Sequence, residues 1–322
     1  MAEALPLVEL QPPDLSPWQE GGTGCDYVHH FDSGLPGPNV MVQALTHGNE
    51  LCGALALCQL LREGIRPQRG RLTVAFANVA AFSRFDAADP HRARYVDEDL
   101  NRVWADEVLL GPRDSAELRR ARELRPFVDA ADLLLDIHSM GEPCRPLMVC
   151  GQSAKNARYA CELGMPADLL LDTGHPAGLR MVERGGFGDA ASPKRALLIE
   201  CGQHWERASE AVAWDTTLRF LALTGLVDAA WAASRCSLPL PAQQQVVQVS
   251  EPVVARSLGF EFLVPVVAMS VIEQAGTPIA RDGDHVWRAP YDHTVLVMPG
   301  LSHLKPGNTM ARLGRVVPLA QL

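Results

Sequence analysis

Thr46-His47-Gly48-Asn49-Glu50 is the stretch that decides how this chain is read. It follows an apolar strand-like run, residues 40–45 (VMVQAL), and precedes residues 51–61, which are apolar on nearly every face and so predict a buried helix. A strand that turns into a helix is where α/β proteins place their chemistry. A histidine and a carboxylate three positions apart, with Gly48 between them to allow an unusual backbone path, can converge on one cation. The same five residues also read as a strand-end histidine followed by a glutamate that favours the helix dipole.

Outward from this stretch the pattern repeats. Residues 71–78 (RLTVAFAN) predict a second buried strand, followed by a loop dense in charge: Arg84, Arg92, Arg94, Asp97, Asp99, Asn101 and Arg102. Asp114 to Glu117 fits a capping box opening a helix with an apolar stripe at Leu118, Leu124, Phe127 and Val128. Residues 133–138 (LLLDIH) then predict a strand ending in His138, and residues 195–202 (RALLIECG) one ending in a carboxylate, with helical runs at 153–163 and 206–223. Strands alternating with helices imply an α/β fold with a mixed, mostly parallel sheet and helices on both faces. After Cys236 the character changes. Residues 237–245 form a Pro/Gln-rich linker, and from 246 onward short β-branched runs separated by Gly, Pro and Asp turns predict a small all-β barrel or sandwich. The expected division is a catalytic domain over 1–236 and a β domain over 246–322.

Composition narrows the function classes. A hydrophobic share of 47% with 21% charged residues fits a globular chain with a sizeable core, and a formal charge of −9 repels nucleic acid and anionic membrane surfaces. Residues 1–20 carry no basic residue and no long apolar block, so no signal peptide is read there. The apolar stretch 220–234 is too short to span a bilayer and is broken by Asp228. The eight cysteines include no Cys-x-x-Cys pair and fall largely in apolar runs, which points to a reducing cytoplasm.

His47, Glu50, His138 and Glu200 are all expected at the ends of buried strands, which a parallel sheet brings to one edge. Two histidines and a glutamate form the ligand set of a catalytic zinc, leaving a position for water. Glu200 is then the candidate to take a proton from that water and deliver it to a leaving nitrogen, and Arg94 the candidate to face a developing oxyanion.

The ordered set His47-Gly-Asn-Glu50, residues 94–102 (RYVDEDLNR), Asp136-Ile-His138 and Ile199-Glu200-Cys-Gly202 resembles the succinylglutamate desuccinylase/aspartoacylase family, a branch of the zinc carboxypeptidase-like fold. The resemblance implies one zinc per chain on His47, Glu50 and His138, with Glu200 as general base and acid. It further implies Arg94 polarising the scissile carbonyl, Asn101 and Arg102 holding a substrate carboxylate, and Asp99 orienting a zinc-bound histidine. The implied substrate is a small acylated amino acid or amine, with no nucleic-acid or membrane partner and the oligomeric state, a homo-oligomer included, left open. A zinc carboxypeptidase acting on peptides and a catalytically silent metal-containing binding protein are the alternatives. Where aspartoacylases carry a further arginine, about ten residues before the catalytic glutamate, this chain has Ala190, with Arg180, Arg184 and Arg195 nearby. The remaining histidines, 29, 30, 91, 175, 204, 285, 293 and 303, read as surface or hydrogen-bonded groups, with His204 also a candidate pocket residue. Asp136 reads as a backbone partner, and Asp97 and Glu98 as structural.

Overall fold

A computed structural model describes residues 7–318 except 173, 175, 176, 302 and 303. In chain order the first half contains β1 (Val28–Asp32), β2 (Asn39–Ala44), α1 (Leu51–Arg62), β3 (Arg71–Phe76), α2 (Val79–Phe82), α3 (Asp106–Leu109), α4 (Ala116–Ala130) and β4 (Leu133–Met140). The middle contains β5 (Leu147–Val149), α5 (Ala154–Leu163), β6 (Asp168–Leu171), β7 (Arg195–Gln203), α6 (Arg207–Leu223) and α7 (Ala229–Arg235). The last part is all strand: β8 (Gln245–Val254), β9 (Glu261–Phe262), β10 (Ser270–Ile272), β11 (Pro278–Asp282), β12 (His285–Arg288), β13 (Thr294–Val297) and β14 (Thr309–Val317).

Among the described residues the main sheet runs β1-β3-β2-β4-β7-β5-β6-β8-β14-β13-β10. The pairs β3-β2, β2-β4, β4-β7, β5-β6 and β6-β8 are parallel. The fold is therefore the expected mixed, mostly parallel α/β sheet with additional antiparallel strands toward the carboxyl end. β8 begins where the Pro/Gln-rich run stops and lies along β6, so the C-terminal strands continue the main sheet, while β12-β11-β9 form a small sheet of their own. Behind that small sheet Val253, Phe260, Ile279, Leu296 and Met310 share a separate buried cluster.

Period-two alternation explains why both faces are covered. Val40, Val42, Val74, Leu135, Ile137, Leu197 and Ile199 face one way, onto α1, α5 and α6; Met41, Ala75, Leu134, Ala196 and Leu198 face the other, onto α4. The stretch 220–234 is two helices: α6 ends at Leu223, and Asp228 opens α7 by accepting from Trp231 N. Among the described residues no helix is long and apolar enough to cross a membrane. All eight cysteines are free thiols.

Two local expectations change. α4 is capped by Ser115, whose hydroxyl accepts from Leu118 N at 3.0 Å; Asp114 caps nothing there, and Glu117 serves a different segment. β4 and β7 also run past His138 and Glu200, through a bulge, to Met140 and Gln203. The site still opens at a sheet edge because β2 is the shorter strand: its last pair with β4 is Ala44 with Ile137, so His138 is the first residue of β4 beyond the end of β2.

A candidate metal centre at the end of β2

Leu45, fully buried, takes φ of 59°, a left-handed conformation that costs an ordinary residue ~1–2 kcal/mol and here swings the chain out of the sheet. Its carbonyl is held by Asn78 N at 2.8 Å. The unusual backbone path expected at Gly48 thus lies three residues earlier. Gly48 is required for a different reason: a Cβ there would stand 2.2 Å from Phe82 N and 2.6 Å from Ala93 O. The turn is pressed against both segments, and Gly48 N donates to Arg94 O at 3.1 Å.

This packing turns His47 and Glu50 inward. Glu50 stands at the start of α1 but makes no capping bond with its side chain. Its Oε1 lies 2.7 Å from His47 Nδ1 and its Oε2 2.9 Å from His138 Nδ1. Among the described residues His47, Glu50 and His138 form the cluster whose ligand atoms all fall within 4.8 Å of one another, and all three are buried.

The outward nitrogens of both rings are also engaged. His47 Nε2 meets Asp99 Oδ1 at 3.0 Å, and His138 Nε2 meets Asp136 Oδ2 at 2.8 Å. A carboxylate accepting from Nε2–H fixes the tautomer whose Nδ1 lone pair faces inward, which is how metal-binding histidines are oriented. Asp99, from the charged loop, is the carboxylate beside His47 Nε2. Asp136, read from sequence as a backbone partner, does for His138 what Asp99 does for His47, and its Oδ1 takes the Thr46 hydroxyl at 2.9 Å. Arg94 Nη2 lies 3.1 Å from both His47 Nε2 and Asp99 Oδ2; with the Nε2 proton directed to Asp99, the arginine's bond is the one to Asp99.

Charge supports the same reading. Glu50, Asp99 and Asp136 face two imidazoles inside the protein. Burial opposes ionisation of Glu50 and Asp99, yet the imidazoles of His47 and His138 beside Glu50, and His47 with Arg94 and Arg102 beside Asp99, hold both well below the usual carboxylate range. Burial likewise opposes a charge on His138, but Asp136 and Glu50 push its pKa well above normal. The pocket is built for positive charge, and its two nitrogens and one carboxylate suit zinc.

Glu200 pairs in register with His138 on the neighbouring strand. Burial, reinforced by Glu50, raises its carboxyl well above the usual range even though His138 and Arg94 act the other way, and its Oε2 is buried without a hydrogen-bond partner. A carboxyl so placed is poised to exchange protons.

The charged loop supplies the remaining candidates. Arg94 is partly exposed and spans Asp99 and Glu50. Arg102 lies 3.9 Å from Asp99, and burial brings its pKa down to about 10, which leaves it charged at neutral pH. Asn101 is buried, with its amide oxygen accepting from Met181 N at 2.9 Å. That bond, with the bridge of Val103 to Leu179, lays residues 179–181 along the loop. Ala190 is exposed on a turn. The arginines whose charge acts on Arg102 are Arg94, Arg180 and Arg312; the Arg180 guanidinium binds Asp172 and Glu183, and Asp172 also holds Arg312 from β14. Arg180 was named from sequence only as one of three arginines near Ala190, and Arg312 not at all; the return of residues 179–181 along the loop, and of β14 to the sheet, places them.

His204 is buried, and burial pushes its pKa down to about 3, so it is neutral. Its Nδ1 lies 2.8 Å from Ser139 Oγ, and its ring packs on Trp205, which His91 meets from another side. His29, His30 and His293 are hydrogen-bonded as expected, while His175 and His303 lie outside the described residues. Asp97 and Glu98 are structural, capping Ala116 N and pairing with Arg113.

A mixed, mostly parallel α/β sheet that brings two histidines and a glutamate together beside a buried carboxyl defines the class. The chain belongs to the succinylglutamate desuccinylase/aspartoacylase family: the sequence model of the Succinylglutamate desuccinylase/Aspartoacylase catalytic domain matches residues 36–214. It is 30% identical over 194 residues to a mouse (Mus musculus) N-acyl-aromatic-L-amino acid amidohydrolase (carboxylate-forming), covering 53% of this chain and 56% of that protein. It is 35% identical over 103 residues to mouse aspartoacylase, covering 29% of this chain and 31% of that protein. These matches thus span between about a third and just over half of the curated relatives' length. Among solved structures, succinylglutamate desuccinylase from Vibrio cholerae shares the fold with a TM-score of 0.66 at 17% identity, covering 91% of this chain and 86% of that one.

Proposed function

We propose that this chain is a zinc-dependent amidohydrolase that removes the acyl group from an N-acylated amino acid or related small amine. The observation that carries the reading is the buried His47, Glu50, His138 cluster with Glu200 on the adjacent strand, its Oε2 free of any hydrogen-bond partner. Zinc held by these three groups would lower the pKa of a bound water to about 7 and polarise a carbonyl. Glu200 takes the proton from the attacking water and passes it to the leaving nitrogen, a task its raised pKa suits. Arg94 faces the oxygen on which charge develops. Asn101 and Arg102 hold a carboxylate on the substrate, Arg102 through its planar fork. The amidohydrolase and aspartoacylase names of the mouse relatives support the reaction class. A reducing cytoplasm, supported by eight free thiols, and a catalytic unit over 1–236 joined to a β unit over 246–322 complete the proposal.

Glu200→Gln tests the reading. The variant is expected to keep its fold and zinc while turnover falls about 10²–10⁴-fold, because the amide keeps the shape but cannot accept the proton. The assay is a panel of N-acetyl and N-succinyl amino acids, their methyl esters and short peptides. Near-native turnover with zinc bound would refute the role of Glu200, and a preference for long peptides would replace deacylation by carboxypeptidase action.

A further inference from the structure

The loop from Arg94 to Arg102 carries Arg94, Asp99, Asn101 and Arg102, yet its only regular structure is a single turn at Leu100–Arg102. Its shape must therefore be set from outside. Three consecutive backbone amides in its middle point at one side chain, Glu117 on α4, which is fully buried. Oε1 accepts from Val96 N at 2.6 Å and from Asn78 Nδ2 at 2.9 Å; Oε2 accepts from Asp97 N at 3.0 Å and Glu98 N at 3.2 Å. Among the described residues no arginine or lysine pairs with Glu117, so its carboxylate is satisfied by N–H donors, two on each oxygen. Such a concave row of amides is an anion-binding arrangement, here filled by the protein's own side chain.

The clasp is reciprocal and reaches the metal centre. Asp97 Oδ2 accepts from Ala116 N at 2.8 Å, tying the loop back to the start of α4. Asn78, the third party on Glu117, caps α2 with its amide oxygen and holds the Leu45 carbonyl with its backbone N–H. Glu117 thus joins the end of β2, where the chain turns toward His47, to the loop whose Asp99 touches His47 Nε2. Beyond it in the loop come Asp99, the buried Leu100 and Asn101, and Arg102, before the chain continues into the core at Val103 and Trp104.

We infer that Glu117 is a positioning residue of the active site: through Val96, Asp97 and Glu98 it sets where Asp99 meets His47 and where Arg94 and Arg102 stand. The effect on turnover rests on the function proposed above; the anchoring of the loop and of Asp99 does not. A glutamine has Glu117's shape, but whichever way its amide lies, an NH₂ group opposes at least one buried N–H donor.

The test is E117Q in the full chain, read in three ways. Hydrogen exchange at Val96, Asp97 and Glu98 is expected to quicken at least tenfold beyond any change in α6, which reports global stability. Zinc affinity, measured against a competing chelator, is expected to weaken about tenfold through Asp99 and His47. With the best panel substrate kcat/KM is expected to fall tenfold or more, and R102M/E117Q to lose at least threefold less than the product of the single losses, because both act through one loop. Unchanged exchange at the three amides would overturn the anchor. Quickened exchange with zinc affinity and kcat/KM both within twofold of native would make Glu117 mere packing and overturn the inference. If the native chain turned over nothing in the panel, the function proposal would fail while the exchange and zinc readings still decided this one. Should E117Q not fold, D97A loosens the same clasp from its exposed side while keeping Glu117, and the same three readings apply.

Discussion

Asp136→Asn probes the candidate metal centre at a residue whose role was not legible from sequence. Asp136 is fully buried and serves two partners, His138 Nε2 at 2.8 Å and Thr46 Oγ1 at 2.9 Å. Thr46 in turn accepts from Gln43 Nε2 at 3.0 Å, so its own proton is committed to Asp136. An asparagine presents one oxygen where the carboxylate presents two. With that oxygen toward His138, a charge-assisted bond becomes a neutral one, a loss of about 1–1.5 kcal/mol; with the NH₂ group toward His138, two donors face each other, at about 1–3 kcal/mol. The imidazole also loses the negative neighbour that makes it a better ligand. Zinc affinity should therefore fall about ten- to a hundredfold, the usual range for a carboxylate behind a metal-bound histidine. Competition against a zinc chelator, with folding checked by circular dichroism, gives the number. Asp99→Asn should cost less, because Asp99 is partly exposed and Arg94 and Arg102 remain beside it. A folded Asp136→Asn variant that binds zinc within twofold of native would refute the argument.

Two further outcomes follow from the site and the fold. Arg102→Met should lower kcat/KM for substrates bearing a free carboxylate roughly ten- to a hundredfold, the loss of a charge-assisted contact of about 1.5–3 kcal/mol, and leave methyl esters nearly unchanged; equal losses for both would remove Arg102 from the carboxylate's binding. At Asp129 burial works to raise the carboxyl, but the bonds from Arg184 and Arg125 outweigh it and hold it below the usual range. A depressed carboxyl contributes stability above its unfolded pKa of about 3.9, and that stability is lost as pH falls through the folded value. Asp129→Asn should thus lower the urea midpoint at pH 7 by no more than about 1 kcal/mol equivalent, given partial solvent screening, and by much less near pH 2.5; an equal deficit at both pH values would contradict this.

Much of this molecule was legible in its sequence because hydrophobic period carries the information. The runs 40–45, 71–78, 133–138 and 195–202 alternate two apolar faces and became β2, β3, β4 and β7; the apolar run 51–61 became α1. Parallel order then made the convergence of His47, Glu50, His138 and Glu200 a matter of topology. Polar partnerships across distant segments were not readable. Nothing in residues 114–117 says that Ser115 caps the helix and Glu117 reaches back to Val96, since a capping box and a buried anchor share the same letters. Asp136 and His138 stand two apart on β4 and so share a face, but period two alone does not say that Asp136 also takes the Thr46 hydroxyl from the end of β2. Arg180 could not be chosen over Arg184 and Arg195 because counting back from Glu200 assumes a fixed loop length, whereas the structure sets residues 179–181 against residues 101–104 by hydrogen bonds. Arg312 needed the pairing of β14 with β8, and strand alternation names no partner.

The most direct test of the account is the metal content of the native chain and of His47→Ala and His138→Ala, measured by elemental analysis after dialysis of folded protein. The account predicts about one zinc per native chain and little or none in either variant, since each removes one of three protein ligands. Full zinc occupancy in both variants would contradict it and return the two histidines to a structural role.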